Sequence, residues 1–167
     1  MGRIGDLKRM VKERRVGFVM DEVMTGDHEF EPEFGEPGRR PMSFRSTWGP
    51  RRLSEWLNPL GDKFLWQELT GAITVDGLCE NAPATGSLEL KYFTEHILRY
   101  KLNFSVDGTA YEFVGEKVNI RPWNLPVSHT TCYGVLTEVE TGRLVSKSVT
   151  HFRLKTAPAF LASFRFA

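Results

Sequence analysis

The chain has 167 residues, 41% of them hydrophobic and 26% charged, with a formal net charge of +1. That length suits one domain with a buried core, and the composition is that of a folded chain and not a disordered one. The near-zero charge provides no global field for nucleic acid, and the sequence holds no GxGxxG or GxxxxGK[ST] phosphate loop and no GxSxG elbow.

Residues 1–15 are read as a basic N-terminal helix. Ile4, Leu7 and Val11 fall on one face with Met10 nearby, and Asp6 is placed to cap it. Such a helix folds onto a domain end, or touches a membrane surface or a partner protein. Residues 16–62 form a loop-rich first third. Val16–Met24 is a mainly apolar run, and 25–41 reads as a long polar loop around Pro32, Gly35, Pro37 and Gly38. Met42, Phe44, Ser46 and Trp48 then alternate with Ser43, Arg45 and Thr47, a strand buried on one face and stopped at Gly49-Pro50. Leu53, Trp56 and Leu57 sit at helical spacing before Asn58-Pro59.

Residues 63–157 are predicted to be a core of hairpins. Lys63–Val75 is one long strand or two short ones broken near Gly71, ending at Asp76-Gly77. Ser87–Phe93 and Ile97–Val106 follow. In the second, Leu98, Tyr100, Leu102, Phe104 and Val106 share a face. Asp107-Gly108 has the composition of a two-residue type I′ turn. The return strand is Thr109–Val114, running on to Ile120. Residues 121–128 hold two prolines and are not central strand. Thr130–Glu140 and Arg143–Lys155 make another hairpin, and 158–167 reads as a C-terminal plug with helical spacing. The expectation is an all-β antiparallel barrel or strongly curved sheet with one to three short peripheral helices. A barrel of about eight strands has an interior that side chains fill or that holds one small ligand.

Two stretches gather polar chemistry. Glu95 and His96 are adjacent, so on a strand they point to opposite faces. Tyr100 lies two turns of the pleat further on, on the apolar face. Residues 116–134 place Trp123, Asn124, His129, Thr131 and Tyr133 around the two prolines, and loops are where sites are usually carried. The reading is a cavity mouth in which Trp123 packs on a ligand and His129 or Tyr133 supplies a polar handle. His151 faces the same cavity if its hairpin pairs in register. The histidines lack zinc-ligand spacing, and Cys79 and Cys132 form no CxxC, so neither a metal site nor a cofactor is expected. No secretory apolar run and no stretch of about 18 apolar residues occurs, which makes a cytoplasmic protein without a transmembrane segment the expectation.

Several stretches carry a resemblance: VMTGDHEF (23–30), LTGAITVDGL (69–78), GSLELKYF (86–93), LRYKLNFSVDGTAYEFVGEKV (98–118), HTTCYGVLTEVETGRLV (129–145) and THFRLKTAPAFLASFRF (150–166). Together they are similar to the β-rich domain that accompanies bacterial glucose–methanol–choline oxidoreductases of the cholesterol-oxidase type. The resemblance implies a lipocalin-like barrel and an association with sterol or lipid redox metabolism. The flavin domain's glycine fingerprint is absent, so no FAD is expected by that route. The resulting expectation is a binding or accessory domain with an apolar cavity for a sterol-like or lipid ligand, with an oxidoreductase as protein partner. One alternative is a protein-interaction or structural domain, with 3–15 or 25–41 as the contact surface. The other is a small cavity enzyme (an isomerase, hydratase or lyase) moving protons through His129, His151, Glu95 or Tyr133.

Overall fold

Successive residues of a strand point to opposite faces, so a chain of alternating apolar and polar residues has one face to bury. In the computed structural model, which describes residues 16–120 and 130–152 and the backbone of 165–166, that alternation closes into a barrel. The elements in chain order are β1 (Phe18–Phe30), β2 (Arg40–Trp48), α1 (Leu53–Trp56), β3 (Trp66–Val75), β4 (Cys79–Lys91), β5 (Ile97–Val106), β6 (Thr109–Lys117), β7 (Thr131–Glu138), β8 (Leu144–Phe152) and β9 (Arg165–Phe166). Each of the first seven strands pairs antiparallel with the next, and β8 returns to β1, as a lipocalin-like up-and-down barrel requires. Closure leaves those eight strands without a free edge. The two-residue β9 adds to the start of β1, through Phe18↔Phe166 and Val19↔Arg165.

The predicted fold class is therefore the observed one. Three boundaries differ. The polar loop expected over 25–41 is shorter, because β1 runs on to Phe30 with β2 on one side and β8 on the other. Its inward residues His28 and Phe30 alternate with exposed Asp27 and Glu29, so the period was present under a polar composition. Residues 79–86 belong to β4, although Pro83 lies among them. Pro83 falls past Thr85, the last β4 residue paired with β5, so its missing N–H interrupts nothing there. Residues 165–166 are strand and not part of a helical plug, while 158–164 lie outside the described residues. The Asp107-Gly108 turn is as expected, with φ of +48° and +84°.

β3 is not broken at Gly71. A Cβ built there would lie 1.9 Å from the Arg45 carbonyl oxygen of β2. The neighbour is backbone and cannot rotate away. Gly71→Ala is expected to cost about 1–3 kcal/mol, the usual range for overpacking. Urea unfolding checks this, and an unchanged midpoint would show that the strands part there at no cost.

The topology gives the barrel two ends. The upper end carries the 31–39 loop and the tight turns after β3, β5 and β7. The lower end carries the β2–β3 connection with α1, the 92–96 turn, and the chain leaving β6 at Val118. Between them the middle layer is filled. Phe44 packs on Tyr100 and Phe113 with ring centroids 5.4 Å away in both cases. Phe113 lies across Gly115 and Gly134, where a Cβ would fall 2.9 and 2.3 Å from its ring. Leu69, Ile73, Leu88, Leu102 and Leu136 complete a layer with no exposed member. A ligand therefore meets side chains in the middle of this barrel, and room for one is to be sought at its ends.

Candidate functional site

The same alternation that buries the apolar residues forces three polar ones inside at the lower end. In β6, Tyr111, Phe113 and Gly115 face inward, and Lys117 is next in that series. In β1, Glu22 precedes Met24 on the inner face. In β5, Tyr100 lies opposite Gly115. The Lys117 ammonium donates to Glu22 Oε1 at 2.7 Å, and the Tyr100 hydroxyl donates to Glu22 Oε2 at 2.7 Å. Lys117 Nζ also stands 5.2 Å from the centroid of the Tyr100 ring. Lys117 is 3% exposed and Glu22 6%. Taking two charges out of water costs several kcal/mol per ion, and a well-packed apolar pair often does as well for stability. A charge pair held inside at that cost is the candidate site.

The surrounding groups keep their protons. Burial, with Glu22's charge after it, holds the Tyr100 phenol well above its ordinary value. The half-buried Tyr92 is pushed up to about 12 for the same two reasons. Burial raises the Cys132 thiol to about 12. Ser46 is directly across from Glu22 in the β1–β2 ladder, and its buried hydroxyl has no hydrogen-bond partner. The indole N–H groups of Trp48 and Trp56, at the same end, are also buried and unpartnered. Phe18 packs edge-on against both indoles at 5.8 and 5.9 Å. Leaving a buried polar group unbonded costs about 1–3 kcal/mol; Thr25, His28, Ser146, Ser148 and Thr150 carry further such atoms through the rest of the barrel.

At the upper end, His28 is 2% exposed, with Nε2 3.0 Å from the Asp76 carbonyl oxygen. A carbonyl only accepts, so Nε2 carries the proton and donates, which leaves Nδ1 as a buried acceptor without a partner. Burial lowers the His28 pKa from the ordinary 6.5. The unfolded chain then takes up a proton first as the pH falls. The contribution of the neutral ring to stability is complete above 6.5 and is lost as the pH drops toward the lower folded value. Urea unfolding at about pH 7.5 and about pH 5 should show more destabilisation in the wild type than in His28→Gln, whose amide can still donate to Asp76. Equal pH dependence in the two proteins would remove His28 as its source.

Of the residues singled out from sequence, Tyr100 belongs to the buried cluster. Thr131, Tyr133 and His151 come together elsewhere, on the outer wall. Thr131 and His151 pair in register across β7 and β8, with Thr131 Oγ1 3.2 Å from His151 Nδ1. The inner positions of those strands are taken by Cys132, Gly134, Ser148 and Thr150, so the alternation points the three outward and not into a cavity. Tyr133 and His151 line an open concavity of about 770 Å³ with Val135, Val149 and Lys147. Glu95 lies in the exposed 92–96 turn, where Lys91 donates to it at 2.8 Å and Arg99 lies 3.7 Å away. His96 takes φ +55°, and its carbonyl accepts the Ile120 N–H at the barrel rim. Trp123, Asn124 and His129 lie outside the described residues. Among the described residues no three His, Cys, Asp or Glu side chains gather as metal ligands, and no helix is long and apolar enough to cross a membrane.

Sequence reasoning missed Glu22, Lys117, Ser46, Tyr92 and Cys132. A signal for the first two existed: each is a charge on the apolar parity of its strand. Comparison of the chain with protein-family models, curated proteins and solved structures found no match. The barrel and its buried cluster therefore carry the functional argument.

Proposed function

We propose that this barrel binds a small apolar molecule carrying an uncharged oxygen function, a hydroxyl or a carbonyl, at its lower end. The observation that carries the reading is the Lys117–Glu22 pair inside the barrel. The two charges neutralise each other. An ionic head group would have to displace one partner and leave the other unpaired, which costs about 3–5 kcal/mol in a buried setting. A neutral oxygen meets no such cost. It can accept from Lys117, which gives one of its three N–H donors to Glu22, and from the unpartnered Trp48 indole. A hydroxyl can also donate to Ser46. The ligand's apolar body would pack on Phe18, Trp48 and Trp56 at the lower rim, where large flat surfaces favour a rigid ring system. A sterol-like alcohol or ketone suits this chemistry, and supply to or from an oxidoreductase of the resembled kind suits such a ligand.

Titrating cholesterol, cholestenone and oleate into the full chain, followed by tryptophan emission, tests the reading. The alcohol and the ketone are expected to bind saturably and the carboxylate weakly. Oleate binding as tightly as either sterol, or no sterol binding at all, would overturn it.

A second reading, a protein-interaction domain, is favoured by the outer wall, where Tyr133 is 53% exposed and Val135 and Val149 are 40% exposed on one concave face. That surface differs from the two expected from sequence. Sedimentation of the wild type against Val149→Lys separates the readings: a change in assembly supports this one, and no change removes it.

A further inference from the structure

We infer that Lys117 forms a covalent imine with an aldehyde or ketone bound at the lower end of the barrel, with Glu22 carrying the protons. The inference rests on the ligand-binding reading above and narrows it to carbonyl compounds. Imine formation needs a primary amine, a group that moves protons between nitrogen and oxygen, and restricted water. The structure puts these together. Lys117 Nζ is 2.7 Å from Glu22 Oε1, and both side chains are buried. Tyr100 holds the other carboxylate oxygen at 2.7 Å and is the positioning residue. Because the phenol keeps its proton, it serves as a fixed donor and does not compete as a base.

The steps balance without a further reactant. Glu22 takes one proton from the Lys117 ammonium. The freed lone pair attacks the carbonyl carbon, forming the C–N bond, while the carbonyl π pair moves to oxygen. That oxygen takes the proton back from Glu22. Glu22 then removes a second proton from nitrogen and delivers it to the carbinolamine hydroxyl. The C–O bond breaks, water leaves, and the nitrogen lone pair completes the C=N bond. The net change is ammonium plus carbonyl to protonated imine plus water. The product retains one positive charge beside the Glu22 carboxylate, so the buried carboxylate never loses its counter-charge. That distinguishes this reaction from any that would neutralise the lysine permanently, and buried apolar residues limit the return of water: Leu98 opposite Lys117 in the β5–β6 ladder, with Leu88 opposite Tyr100 and Phe44 packed on its ring.

The test uses the full chain, trans-cinnamaldehyde as probe and sodium borohydride to fix the imine, with intact mass and peptide mapping as the readout. The expected result is one adduct, placed on Lys117, and its loss in Lys117→Arg, which keeps a cation for Glu22 but forms no imine. Label spread over exposed lysines such as Lys63 and Lys147 with Lys117 unmodified would overturn the inference. If Lys117→Arg does not fold, the wild-type peptide map decides alone. Saturable quenching of tryptophan emission by the aldehyde without borohydride keeps the two readings apart. Quenching with Lys117 unmodified defeats the imine and leaves ligand binding standing, and the absence of both defeats both.

Discussion

Lys117→Met is expected to destabilise the protein by about 3–5 kcal/mol, because it leaves the Glu22 carboxylate buried without its counter-charge. The side chain removed is 3% exposed, so no solvent is present to take over the screening. Tyr100 would still donate to Glu22, but one neutral donor does not replace an ammonium. Removing the second charge should restore much of the loss. In Glu22→Gln/Lys117→Met the methionine fills the stem's volume, and the amide keeps an acceptor for Tyr100. Urea unfolding of the wild type, both single variants and the double variant gives the coupling directly. A single variant within about 1 kcal/mol of the wild type would show that water reaches the pair, and the double variant then adds nothing. The pattern expected, costly to break but cheap to replace, is that of a pair kept for something besides stability. Ligand binding stabilises the folded state in proportion to the logarithm of ligand concentration over Kd, so cholestenone should raise the melting temperature of the wild type and not of the double variant.

The barrel was legible in the sequence because alternation is local. Leu98 to Val106 and Met42 to Trp48 each show one apolar parity, and the Asp107-Gly108 turn fixes its hairpin from two residues. Where composition hides the alternation, the reading shortened a strand. Gly26, His28 and Phe30 keep the inner parity of β1 among acidic neighbours, and Ala82, Ala84 and Gly86 keep that of β4 on either side of Pro83. The site was less legible because it depends on closure. Glu22 and Lys117 are 95 positions apart and meet only when β8 returns to β1 and brings β6 to face it across the interior. The sequence alone offered only the sign that each is a charge on an apolar face. His151 and Thr131 illustrate the converse. Their register was readable, but whether their shared face turned inward depended on the smaller residues between them. Cys132, Gly134, Ser148 and Thr150 take the inside because Phe113 needs the space above Gly134.

Phe113→Ala is the second large effect expected, at about 3–5 kcal/mol, through the loss of a fully buried ring and the cavity left behind. The ring is 0% exposed and rests on Gly115 and Gly134. Closed-barrel backbone on two sides cannot fall inward, so the cavity should persist and not collapse. Benzene is then expected to bind to Phe113→Ala and return part of its stability, while leaving the wild type unchanged. Gly134→Ala sharpens the test. In the wild type a Cβ at Gly134 would lie 2.3 Å from the ring, an overpacking that costs about 1–3 kcal/mol. In Phe113→Ala the same methyl enters the vacated space, and the nearest neighbour that remains is the Ser148 hydroxyl, 2.6 Å away, which can rotate. The substitution should therefore change sign between the two backgrounds. Additive effects would mean that the ring already moves aside in the native protein. The interior would then open from the lower end past Phe113, and a ligand held at Lys117 could extend through the middle of the barrel instead of lying against the aromatic rim.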